Sequence, residues 1–423
     1  MVWILFTVFF LLLFIKFPIA YALGISTLIY LLFAGFPLVI IPLKMYAGID
    51  LFVLLSIPGF ILAGNLMNSC GMTDRIIKFC NNLLGHIRGG LALANIGASM
   101  IFAGISGTAI ADTASIGSIM IPAMKKEGYE TDFSCAVTAA SSTIGPIIPP
   151  SLPMIIAGSL TGLSIGKLFL AGAIPGLLLA LGLMIVSFLI SRKRKHPKQI
   201  KASWKEKGSG FLHAFWALLM TIIILYGIIG GMFTPTEASV IAVLYALLVG
   251  SFIYKTLNFK KIYEVITTSA GTTASLMILV GFANLFGWIL VCEKVPQDLA
   301  SMLLSITENK YLLLLLINIL LILIGSFMET IAALLIVYPI LLKVAVEAGV
   351  DPIQFSIIAI LNLIIGLTTP PVGVCLFVAS GIGKISIDKI VKAGFPFLLV
   401  SLLILLLVTY IPALSLFLPG VFN

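Results

Sequence analysis

Charge is what this sequence has least of. Asp, Glu, Lys and Arg make up 10% of the 423 residues while 61% are hydrophobic; ordinary soluble domains carry about 25% charged residues. Such a chain cannot clothe a water-facing surface, so a soluble globular enzyme is excluded. Histidine is scarcer: only His86, His196 and His213 occur, all at loop or interfacial positions. The five cysteines (Cys70, Cys80, Cys135, Cys292, Cys375) show neither metal spacing nor a paired pattern and read as small apolar packing residues. No P-loop is present, so the nucleotide-binding signature of an ATP-driven pump is missing. Strand-like alternation broken by turns is also missing, which excludes an outer-membrane barrel. The opening MVWILFTVFFLLLFIK has no basic n-region or small-residue cleavage site. It reads as a retained helix with its N-terminus outside.

What the chain has in abundance is apolar runs. The mean hydropathy is +1.21, and stretches near the roughly 20 residues needed to cross a bilayer recur from end to end. The expected class is an all-α polytopic membrane protein. The main polar interruption is SRKRKHPKQIKASWKEKGSG, ending at 210, and the positive-inside rule makes it cytoplasmic. Spans placed outward from it fall near 2–16, 18–36, 50–69, 133–158, 168–191, 211–231, 235–254, 268–292, 353–380 and 393–415. Two interrupted segments, about 89–125 and 310–343, read as re-entrant hairpins, which gives ten crossings. Of 25 Lys and Arg, 20 then lie inside and only Lys44, Lys167, Lys294, Lys310 and Lys343 outside. Cytoplasmic loops therefore account for the net charge of +9, and no nucleic-acid partner is needed.

The two halves repeat. GPIIPPSLPMIIAGSLTG (145–162) aligns with GLTTPPVGVCLFVASGIG (366–383), 221 positions on. DTASIGSIMIP (112–122) aligns with ETIAALLIVYP (329–339) at an offset of 217, so Asp112 meets Glu329. With five crossings per half, the second copy sits upside down, and inverted-topology repeats mark secondary transporters. The expected domains are 1–191, a basic linker at 192–210, and 211–423.

Each repeat holds a hairpin followed by a helix broken at Gly-x-x-x-Pro-Pro. Paired prolines remove backbone donors and clash with the preceding turn. Unwound backbone is tolerated at membrane depth only where protein or a watery cavity surrounds it. Thr143–Pro146 and Gly366–Pro370 are therefore expected to present carbonyl oxygens, which suit Na⁺, while half-helix N-termini offer N–H groups to an anion. An unpaired acid at the helix centre costs ~3 kcal/mol on the insertion scale. Asp112 and Glu329 accordingly have two open readings: coupling ion or substrate, or a structural hydrogen bond. Glu237, after Thr234 and Pro235, reads as a helix cap. TDRIIKFCNNLLGHIR (73–88) and PQDLASMLLSITE (296–308) read as membrane-surface amphipathic helices.

The hairpin GISGTAIADTASIG, the breaks SSTIGPIIPPS and GLTTPPVG, and the two inverted halves resemble the large membrane subunit of tripartite ATP-independent periplasmic (TRAP) transporters. That resemblance covers essentially the whole chain. It implies a Na⁺-driven secondary importer of organic-acid anions, such as sialic acid or a C4-dicarboxylate, working by an elevator mechanism in the bacterial inner membrane. A small four-helix membrane subunit and a periplasmic substrate-binding protein would be its partners, and the chain shows no extra N-terminal helices suggesting fusion to the former. The resemblance places one Na⁺ site at Ser106, Gly107, Thr143 and Gly145 and another at Gly325, Gly366 and Thr369. Substrate would lie between, near Ser106, Asp112, Ser151 and Glu329. Two rivals are a stand-alone Na⁺- or H⁺-coupled carboxylate symporter and a rhomboid-like intramembrane serine protease. The protease reading rests on Gly104-Ile-Ser-Gly107 with Ser106 as nucleophile, and it needs a histidine base at the same depth.

Overall fold

The computed structural model of the chain describes all residues but Met1, Lys16, Pro296, 299–300, 303–306, 308 and Asn423, and of 104–106 the backbone alone. Among the described residues the secondary structure is entirely helical. By length and composition, eight helices among the described residues suffice to cross a membrane: Phe52–Ser69, Ile165–Lys193, Trp204–Ile229, Pro235–Ile253, Phe259–Cys292, Lys310–Phe327, Thr330–Glu347 and Ile387–Tyr410. Two of these, Lys310–Phe327 and Thr330–Glu347, are the arms of the second interrupted segment, and the broken helices fall below that length. The first helix, α1 (Val2–Phe14), has 13 residues, about 20 Å at 1.5 Å per residue, short of the ~30 Å hydrocarbon core. The next, α2 (Ile19–Ala34), has 16. A further helix, α3 (Ile40–Ile49), occupies a stretch read from sequence as a connection.

The next elements are α4 (Ser56–Ser69), α5 (Met72–Leu84), and the pair α6 (Gly90–Ser106) and α7 (Ala109–Lys126), which pack on each other. After them come α8 (Thr131–Ser142) and α9 (Leu152–Thr161), separated by an unwound stretch, and the long α10 (Ile165–Lys193). The second half opens with α11 (Trp204–Ile229), α12 (Pro235–Leu248) and α13 (Phe259–Cys292). It continues with the pair α14 (Lys310–Phe327) and α15 (Thr330–Glu347), then α16 (Pro352–Gly366) and α17 (Val374–Gly383) across a second unwound stretch. The last elements are α18 (Ile387–Tyr410) and α19 (Ala413–Val421). Local chemistry sets several starts. Thr234 and Glu237 form a reciprocal capping box with Pro235 in the first turn, so the helix-cap reading of Glu237 holds.

The packing of the two halves is interleaved. Entry arms α6 and α14 lie against α8 and α16, and return arms α7 and α15 against α17 and α9 of the opposite half. The two long helices that follow the breaks also cross over, α18 onto α8 and α10 onto α16. Polar bridges join entry arm to broken helix: Asn95 Nδ2 donates to Thr138 Oγ1 (2.7 Å) and Ser99 pairs with Ser141 (2.9 Å). In the second half Asn362 Nδ2 donates to Asn318 Oδ1 (2.8 Å), and Asn318 Nδ2 to Thr409 Oγ1 (3.0 Å). Without water to compete, such bonds hold membrane helices together at about 0.6–2 kcal/mol each.

Helix α5 has the expected amphipathic pattern, and its apolar face has a protein partner. Its apolar residues Met72, Ile76, Ile77 and Cys80 are buried, and the helix packs on α6 and α11. The apolar face that suggested a membrane-surface helix is covered by protein, with only Leu83 exposed. Most of the companion segment 296–308 lies outside the described residues. Four cysteines are buried as expected of packing residues, while Cys292 is exposed.

Candidate transport site at the helix breaks

In the first half the hairpin tip abuts the break. Gly107 has φ +64°, and a Cβ there would sit 3.1 Å from Leu152 Cγ and 3.3 Å from Leu152 N. Glycine is therefore required twice over, by backbone conformation and by space. Asp112, in the first turn of α7, is fully buried. Its Oδ2 lies directly against Gly145, where any Cβ would overlap the carboxylate. Thr143 donates to the Ala140 carbonyl (2.6 Å). Ser151 caps α9, accepting from Met154 N (3.3 Å) and donating to the Pro146 carbonyl (2.5 Å). Pro149 and Pro150 have no N–H to offer the carbonyls four residues back. The Ser151 hydroxyl satisfies Pro146, while among the described residues nothing donates to the Gly145 carbonyl. The Ser106 side chain lies outside the described residues; its backbone ends α6.

In the second half tip and break touch backbone to backbone. A Cβ at Gly366 would overlap the main chain of Gly325, and one at Gly325 would sit 2.8 Å from the Leu363 carbonyl oxygen. Gly373 N donates to the Ser326 carbonyl (3.1 Å), tying the far side of the break to the tip. Thr369 donates to Ile365 O (2.8 Å), and Glu329 caps α15 by accepting from Ile331 N (2.9 Å) and Ala332 N (3.3 Å). The structure thus joins Gly325 with Gly366, and Asp112 with Gly145. It puts Ser151 and Glu329 to work as helix caps.

The two halves meet at a residue that sequence reasoning treated as inert packing. Cys375, fully buried, lies at the start of α17, the half-helix that packs on return arm α7, which carries Asp112 and Thr113. The available signal was its register, since 375 stands 221 positions after Met154 in the repeat. On the other side Tyr338 of α15 pairs with Ser356 (2.6 Å). A buried acid, Asp112, a partly buried one, Glu329, unwound main chain and close glycine contacts thus lie at the two breaks. The histidines serve elsewhere: His196 pairs with Glu130 and Ser191, and His213 with Ser209.

Comparisons with known proteins identify the family. Residues 6–414 match the family described as "Tripartite ATP-independent periplasmic transporter, DctM component". The sialic acid TRAP transporter large permease protein SiaM of Vibrio cholerae is 44% identical over 379 residues, 90% of this chain and 89% of that protein. The C4-dicarboxylate TRAP transporter large permease protein DctM of Pseudomonas aeruginosa is 41% identical, covering 94% of each. The YdaH transporter of Alcanivorax borkumensis shares the fold, with a TM-score of 0.57 at 15% identity over 84% of this chain and 83% of that one. These relatives are transporter subunits, which removes the intramembrane-protease reading of Ser106. A multi-pass helical chain of this breadth of similarity belongs to the DctM family, the large permease subunits of TRAP transporters.

Proposed function

We propose that this permease imports an organic-acid anion on a Na⁺ gradient, its two hairpins and two broken helices moving together as one block against the remaining helices. The observation that carries this reading is the pairing of each hairpin tip with a helix break and the packing of each return arm on a half-helix of the opposite half. The polar bridges Asn95–Thr138, Ser99–Ser141 and Asn318–Asn362 support motion as a unit. The interleaved packing of return arms onto opposite half-helices supports an inverted repeat. In the proposal one Na⁺ is held by main-chain oxygens around Ser106, Gly107, Thr143 and Gly145 with Asp112 behind them. A second is held around Gly325, Gly366 and Thr369. The anion sits between, near Ser106, Ser151, Asp112 and Glu329. Relatives named for sialic acid and C4-dicarboxylates support an acidic cargo. A periplasmic binding protein would deliver it, a small four-helix subunit would complete the complex, and the chain would reside in the inner membrane.

Reconstitution into proteoliposomes tests the reading. Uptake of a labelled sialic acid or C4-dicarboxylate requires inward Na⁺, the small subunit and the binding protein, and stops when choline replaces Na⁺. Uptake by this chain alone identifies a stand-alone symporter instead, and uptake under a pH gradient without Na⁺ identifies proton coupling.

A further inference from the structure

A cavity of about 680 Å³ opens where α5 meets the start of α11, away from the helix breaks. Gly71, Asp74, Arg75, Lys78, Lys205 and His213 are among its lining residues. The basic linker that precedes α11 places this corner on the cytoplasmic side. Arg75 is fixed in place: it donates to the carbonyls of Cys70 (3.1 Å) and Gly71 (2.8 Å) and stacks 3.8 Å from the Tyr254 ring centroid. Tyr254 in turn donates to the His213 carbonyl (2.7 Å). The His213 Nδ1 is pinned to Ser209 O (2.6 Å), which leaves Nε2 for another partner. Of the two acids, Glu206 is turned onto Ser203 N (2.7 Å) in the capping box, and Asp74 is exposed. Among the described residues neither Lys78 nor Lys205 forms an ion pair. Three cations, of which Arg75 is held in place, therefore face two acids, one of them already engaged. Beside the cavity, α11 exposes Trp204, Phe211 and Leu212, an aromatic and apolar flank of the kind found at membrane interfaces.

We infer that this cavity holds the phosphate headgroup of an anionic phospholipid of the cytoplasmic leaflet, with its acyl chains along the exposed face of α11. Lys78 and Lys205 neutralise the phosphate, and Arg75 adds a rigid charge beneath it. The lipid bridges α5, which packs on the first hairpin arm, to α11. This inference is independent of cargo and coupling ion.

Native mass spectrometry of the detergent-purified full chain, titrated with phosphatidylglycerol or phosphatidylcholine, tests it. Phosphatidylglycerol is expected to be retained preferentially. Lys78→Gln and Lys205→Gln are each expected to weaken retention about fivefold, from the strength of one basic residue near an anionic surface. Lys205→Arg and Lys260→Gln, the latter outside the cavity, keep it, and thermal unfolding in detergent confirms that each variant is folded. Equal retention of both lipids, or unchanged retention in the Gln variants, overturns the inference. So does displacement of the lipid by millimolar inorganic phosphate, which marks a soluble-anion site. A lipid lost only when the small subunit is present assigns the surface to that subunit and overturns it too.

Discussion

The two helix breaks carry the same motif and treat it differently. In the first, Gly145, Pro146, Pro149 and Pro150 are all buried; in the second, Pro370 and Pro371 are exposed and Thr368 and Thr369 half-buried. The acids differ in the same way. Asp112 makes a tertiary contact, pressing its carboxylate on Gly145, whereas Glu329 turns back onto its own helix as a cap. Repetition has kept what the main chain must do, which is break, approach a tip and turn on glycine, while the side chains around it have taken separate tasks. A duplicated motif is thus a guide to backbone geometry and a poor guide to which acid touches cargo.

The comparison breaks most severely at Gly366. Alanine there meets the main chain of Gly325, which no rotamer change relieves, so Gly366→Ala is expected to cost about 3 kcal/mol or more and to abolish uptake, read by thermal unfolding and transport together. Survival of both means the tip and break are not in backbone contact. At Gly145 the obstacle is a side chain, so Gly145→Ala is expected to lose uptake while Gly145→Ala with Asp112→Ala regains part of the lost stability. A double variant less stable than the sum of the singles rules out the Asp112–Gly145 contact.

A smaller split is expected between the acids. On the proposed import mechanism, Asp112→Asn should reduce uptake at least about tenfold, equivalent to 1.4 kcal/mol. Glu329→Gln keeps an acceptor oxygen for the cap and should stay within about twofold, since cap losses are typically ~1 kcal/mol even on full truncation. Equal losses would erase the division of labour.

The smallest effect belongs to Glu130, at the α7–α8 connection. Burial pushes its carboxyl up, but the hydrogen bond from His196, with His196 and Arg194 charges nearby, holds it below the usual carboxylate range overall. Because the folded pKa is depressed, this stabilisation is present above about pH 4.5 and is lost as pH falls through the lower folded value. Glu130→Gln should therefore flatten the fall in melting temperature below pH 4.5 and leave it unchanged in slope near neutrality. An unaltered acid limb counts against the pair.

Much of this was legible from residue patterns. The helical class follows from hydropathy, and the Glu237 cap follows from Thr-Pro-x-Glu. What escaped has physical causes. Hydropathy windows place helix ends only to within a residue or two, so the 18–36 span corresponds to the helix Ile19–Ala34. The periodicity of α5 reports an apolar face without saying whether lipid or α6 and α11 will cover it. Cys375 has no chemical signature of its own; its burial against the return arm of the other half comes from tertiary packing. The linker's basic composition likewise conceals that His196 is buried, its ring centroid 4.6 Å from Tyr129 and 4.7 Å from Phe133.

That buried histidine decides where the chain tolerates a cut. Residues 194–199 are stitched to the first half: Arg194 pairs with Asp132 (3.2 Å), Gly89 N donates to Pro197 O (3.3 Å) and Gln199 N to Gly85 O (3.0 Å). The stitching stops there, because Ile200, Lys201 and Ser203 are exposed. Severed between Ile200 and Lys201, the two fragments keep every one of these contacts and should reassemble when co-expressed; severed after Lys193, they lose the stitch. The permease is in this sense two proteins joined by a short exposed tether, and the seam lies some residues later than the change in composition suggests.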